Sequence, residues 1–159
     1  WCRDHATEWK QHHAWLAQVR ERVQKLTAQQ AQSNADEMVE LARLSRHLDP
    51  RAPVQPLYAL ALQRSPGHAG ALRGLVQSLP DEDRQGKLQC LEQLWDGDGD
   101  SRWWAARTAL AELETSRPGM EHGAAAYKQW RKRLERAQEA EDRAQKIAPF
   151  LANITPHPG

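Results

Sequence analysis

The chain is short of the residues that usually announce a chemistry. It holds two cysteines, Cys2 and Cys90, among 159 residues. A pair so widely spaced gives no disulfide framework and fits reduced thiols in a cytosolic setting, so a cytoplasmic location is expected. Lys and Arg number 22 against 21 Asp and Glu, a net charge of +1. That balance leaves no electrostatic footprint for nucleic acid. The longest apolar runs span only a few residues, which excludes a membrane-spanning helix or a signal-peptide core within this sequence. No stretch alternates apolar and polar residues as a half-buried strand does, so the expected fold class is all-α. No Ser-His-Asp, Cys-His or paired-carboxylate arrangement can be argued from spacing, so no catalytic residue and no cofactor is assigned.

What is present is helix-forming and rich in tryptophan. Seven Trp stand against one Phe and two Tyr. Tryptophan fills large gaps between helices and carries a single N–H, which suits helix interfaces. The sequence opens on Trp1 rather than Met, as a segment of a longer protein would.

Period and punctuation divide the chain. Residues 1–33 are expected to form a long amphipathic helix and a linker. Trp9, His12, Leu16, Val19, Val23 and Leu26 recur there at threes and fours, a narrow stripe suited to lengthwise pairing with another helix. Residues 34–117 read as helical hairpins. Asn34 with Glu37 three residues later forms a capping box, and Asp49-Pro50 ends the helix it opens. Pro53 and Pro56 suit a first turn, and Ser65-Pro66-Gly67 breaks the chain before a further helix that ends near Ser78. The run Asp96-Gly97-Asp98-Gly99-Asp100 is expected to be non-helical, with Asp100 or Ser101 capping a helix whose face is Trp103 or Trp104, the stem of Arg107, Leu110 and Leu113. A long helix is expected over residues 118–147, its face carrying Tyr127, Trp130, Leu134 and Ala137, with an extended tail over 148–159.

Three clusters invite a ligand, and each has a plainer reading. Cys2, His5 and His12 share one side of the first helix, but Cys2 and His12 are about 15 Å apart along it, too far for one ion. A Cys2–His5 pair would need ligands from elsewhere, and packed or solvated histidines explain the same spacing. The Asp96–Asp100 run has the alternating acids of a calcium loop. It puts Ser101 where Gly is needed and Arg107 where a bidentate Glu is needed. Lys128, Arg131, Lys132, Arg133 and Arg136 are interleaved with Glu135, Glu139, Glu141 and Asp142, which reads as a solvated ion-paired helix face.

The hairpin starting near Ala35 and the next, near Ala69, are spaced by about 34 residues. With Met38, Leu41 and Ala42 in its first helix and Tyr58, Ala61, Leu62 and Pro66 in its second, the first hairpin resembles a tetratricopeptide repeat. The units from Ala69 and from Ser101 match it less well. The resemblance implies an α-α superhelix whose first helices line a concave, peptide-binding face. Carried over position by position, that face holds Arg43, Arg46, Arg73, Gln77 and Arg102, which would suit an acidic peptide or a terminal carboxylate. The Trp-rich helix, the segment from Leu57 to Ala71 and the charged final helix are also similar to the region after the protease domain in bacterial membrane metallopeptidases of the HtpX and CAAX-protease type. Their zinc-binding His-Glu-x-x-His helix is absent here. The resemblances together imply a non-catalytic protein-interaction module, tethered at a membrane only through a parent chain. The alternative is an assembly element, pairing through the Trp9/Leu16/Val23 stripe with another copy or with another domain.

Overall fold

The structure, a computed structural model, describes the backbone of residues 2–115 and 121–152 and the side chains of residues 7–115 and 124–149. The described residues form seven α-helices and no strand. They are α1 (Cys2–Ala28), α2 (Ala35–Leu48), α3 (Gln55–Arg64), α4 (Ala69–Ser78), α5 (Arg84–Gly97), α6 (Arg102–Glu114) and α7 (Glu121–Ala152). No described helix is long and apolar enough to cross a membrane. The chain divides into two compact units, Trp1–Cys90 and Leu91–Gly159, with the division inside α5. The first helix thus falls in one unit with the hairpin of α2 and α3.

In the first unit, local signals set each helix boundary. The Asn34 side chain accepts from the Glu37 N–H at 2.9 Å, and the Glu37 carboxylate accepts from the Asn34 N–H at 2.9 Å. This reciprocal cap satisfies two of the four amides that a helix start leaves unpaired. Asp49 ends α2, and Pro56 sits in the first turn of α3, where a missing N–H costs nothing. Gly67 takes φ +87°, a conformation that suits glycine, and turns the chain between α3 and α4. His68 then caps α4, its Nδ1 accepting from the Ala71 N–H at 3.1 Å.

The helices close on one core. Ala35, Met38, Val39 and Ala42 from α2 meet Tyr58 and Ala61 from α3, Ala71 from α4, and Val54 from the loop before α3. α1 packs along α2, which packs on α3, while α4 lies against both α3 and α2. Alanine at 42, 61 and 71, each fully buried, lets backbones approach closely. Arg22 of α1 clamps Glu40 of α2 through two bonds of 2.9 and 2.7 Å. Arg64 donates to the carbonyls of Gln30 and Ala31, both at 3.1 Å, closing the α1–α2 linker.

The second unit departs from the sequence expectation in three places. α5 continues through Gly97, and Gly99–Ser101 forms a 3-10 turn, so most of the Asp-Gly run is helical. Asp98 makes this turn: its carboxylate accepts from the Asp100 N–H at 3.3 Å and from the Ser101 hydroxyl. Ser101 itself is in helical conformation and makes no side-chain cap. The buried face of α6 is Ala105, Ala106, Ala109 and Leu110, whereas Trp103, Trp104 and Leu113 are half-buried and Arg107 is exposed. Alanine wins the inner face because α6 packs closely along α7. Finally, α7 runs through Pro149 to Ala152, where an extended tail was expected from 148. Residues 138–149 are all exposed, so water can satisfy the carbonyl that Pro149 leaves without a helical donor. The rest of the expected tail lies outside the described residues.

Candidate partner-binding groove

Two stripes of side chains face each other across the first unit. On α2, Asp36, Val39, Glu40, Arg43, Arg46 and His47 recur at threes and fours and so share one side. Gly70, Gly74, Gln77 and Ser78 do the same on α4. The two helices run in the same direction. Asp36, at the start of α2, pairs with His68, at the start of α4, at 2.8 Å. At the other end Arg43 and Arg46 line one cleft with Gln77 and Ser78.

Between the stripes lie two clefts joined through shared walls. One, of about 310 Å³, is lined by Arg43, Arg46, His47, Val54, Tyr58, Gly74, Gln77 and Ser78. The other, of about 340 Å³, is lined by Asp36, Val39, Glu40, Arg43, Leu44, His47, His68 and Gly70. Arg43 and His47 belong to both, so the clefts form one groove along α2.

The floor of the groove is buried and largely apolar. Val54 and Tyr58 are 2% and 6% exposed. The Tyr58 ring lies directly on the Gly74 backbone: a Cβ built at Gly74 would stand 2.2 Å from the ring's Cζ. Gly74 is therefore required by a close approach rather than by a turn. The Gln55 amide donates to the Ser78 carbonyl, fixing the end of α4 over the start of α3.

Charge divides the groove along its length. At the far end, Arg43 and Arg46 have no carboxylate partner among the described residues. Burial pushes the Tyr58 phenol up, while the two arginines pull it down, so their field reaches the floor. At the near end Asp36 faces His68, and Glu40 is held below the usual carboxylate range by its hydrogen bonds from Arg22. An anionic group entering the groove is repelled at the near end and drawn to the far one.

The residues expected on this face divide accordingly. Arg43, Arg46 and Gln77 line the groove. Arg73, on α4 beside them, is half-buried and not among the lining residues. Arg102 belongs to the second unit, where its Nε donates to the Trp95 carbonyl at 3.0 Å and its guanidinium stacks 5.6 Å from the Trp95 ring centroid. His47, Gly74 and Ser78 were not named for this face, although His47 lies four residues after Arg43 and Gly74 three before Gln77.

The stripe on α1 is partly used within its own unit. Val19 and Leu26 are 6% and 1% exposed, and Val23 and Leu16 are half-buried. Trp9 remains 64% exposed and His12 is exposed. The other candidate clusters offer less. The side chains of Cys2 and His5 lie outside the described residues. Among the described residues no group of three or more His, Cys, Asp or Glu is placed to hold a metal ion. Burial, and then nearby Asp83, pushes the Cys90 thiol up, away from the reactive thiolate. In the basic cluster of α7, Arg133 pairs with Glu92 at 2.7 Å and lies 4.4 Å from the Trp130 ring centroid. It serves the second unit's packing rather than a ligand.

No protein-family model, curated protein or solved structure matches this chain. What the groove can hold follows from its own residues.

Proposed function

We propose that the chain is a non-catalytic protein-interaction module, a tetratricopeptide-like array of helical hairpins whose groove between α2 and α4 takes an acidic peptide. The observation that carries this reading is the pair of arginines, Arg43 and Arg46, without carboxylate partners beside an apolar floor of Val54 and Tyr58. Guanidinium groups bind carboxylates through paired, charge-assisted hydrogen bonds, and the floor takes the apolar part of the same ligand. Parallel first helices separated by an antiparallel one are also what the repeat resemblance implies. A Glu-rich peptide is expected to bind the full chain, and Arg43→Ala with Arg46→Ala is expected to weaken it at least about tenfold, since each charged bond contributes about 1.5–3 kcal/mol. Binding that is indifferent to both substitutions sinks the groove reading. The peptidase resemblance makes a membrane metallopeptidase the proposed host of the module. A parent sequence without a His-Glu-x-x-His helix removes that host.

A second reading has its own observation. Trp9, 64% exposed, lies on the first half of α1 with His13 against it at 4.0 Å between ring centroids. This supports an assembly element in which the Trp9, His12 and Leu16 part of α1 pairs with another helix. Sedimentation at several concentrations decides it: a concentration-independent monomer discards the assembly of copies.

A further inference from the structure

The Trp15 indole and the His47 ring stand nearly perpendicular at 5.7 Å between centroids, and His12 lies stacked on Trp15 at the same separation and 27°. Trp15 is 42% exposed, a large ring left in water at the arginine end. His47 lines both clefts and touches the indole, so Trp15, which lines neither cleft itself, stands beside the groove wall.

Resting on the groove reading above, we infer that Trp15 is a specificity-determining residue, which takes an aromatic side chain of the peptide whose acidic group Arg43 and Arg46 hold. The chemistry of the surroundings selects that occupant. A cationic side chain would otherwise suit an indole face, but here it would approach two guanidiniums without carboxylate partners. An aliphatic side chain gains only buried area. A ring gains area and also the perpendicular or stacked ring contact that Trp15 already makes with His47 and with His12. The ligand is therefore a peptide in which an acidic residue and an aromatic one lie close together, the aromatic on the side that leaves the groove past His47.

The test compares two fluorescently labelled peptides on the full chain: a Glu-rich peptide, and the same peptide with one phenylalanine added at either end in turn. Phenylalanine at one end is expected to tighten binding about three- to tenfold, the range of an aromatic pair. Trp15→Ala should abolish that gain, so that it binds the two peptides with equal affinity. Trp15→Phe should keep most of it. Trp15→Gln repeats the comparison if the alanine variant loses helicity by circular dichroism. An equal gain in Trp15→Ala, or equal weakening of both peptides, overturns the role of Trp15. If the Glu-rich peptide binds through Arg43 and phenylalanine adds nothing, this inference fails and the groove reading stands. If neither peptide binds, both fall.

Discussion

Gly74→Ala is a sharp test of the packing that forms the groove floor. A Cβ there would lie 2.2, 2.3 and 2.7 Å from three atoms of the Tyr58 ring. Ordinary carbon contacts begin at about 3.5 Å, so the ring or the helix must yield by about 1.3 Å. Tyr58 is 6% exposed and packed among α2, α3 and α4, so moving its ring disturbs the core around it. Two effects oppose each other. Alanine is favoured over glycine by about 1 kcal/mol in a helix interior. Overpacking a core costs about 1–3 kcal/mol, and a displacement this large belongs at the upper end. The net expectation is a loss of about 2 kcal/mol, read as a lower urea midpoint with an unchanged slope. Tyr58→Leu in the same background should recover part of the loss, giving a coupling of about 0.5–3 kcal/mol. Gly97→Ala is the control, because a Cβ there meets nothing within 4 Å. If Gly74→Ala is as stable as the parent, or its cost simply adds to that of Tyr58→Leu, the close approach is not what fixes α4 on α3.

Other expectations concern the caps and the ion pair. His68→Ala should lose the α4 cap and about 1 kcal/mol of stability, while His68→Asn keeps a capping acceptor and most of the stability, as thermal unfolding would show. Glu40 has its folded pKa lowered by Arg22, so its contribution is present above its ordinary value of 4.5 and lost as pH falls through the folded value. Glu40→Gln should therefore flatten the acid limb of stability below about pH 4.5 and reduce its salt dependence, both checked by urea titrations across pH. An unchanged acid limb would show that the Arg22 pair does not persist in solution.

The first unit was largely legible in the sequence because its boundaries are written locally. Asn34 and Glu37 are three residues apart, Pro56 sits in a first turn, and Gly67 follows Pro66 at the turn. Each acts on neighbours along the chain, so spacing reveals it. The second unit was less legible for the opposite reason. Gly97 and Asp98 look like breakers, yet the Asp98 carboxylate holds a helical turn. The inner face of α6 is alanine because α7 packs closely along it, and the spacing of residues within α6 does not show which helix will pack there. Within the groove, Arg43, Arg46 and Gln77 were named through the tetratricopeptide resemblance, carried over position by position. Gly74 and Trp15 were not, since one is defined by a ring from α3 and the other by an imidazole from α2.

Calorimetric titration of a Glu-rich peptide into the chain and into the Arg43→Ala/Arg46→Ala variant tests the central claim most directly. Saturable binding that weakens at least about tenfold in the variant, while both proteins keep the same helicity, is the result expected. Equal binding to the two, or none to either, would contradict it.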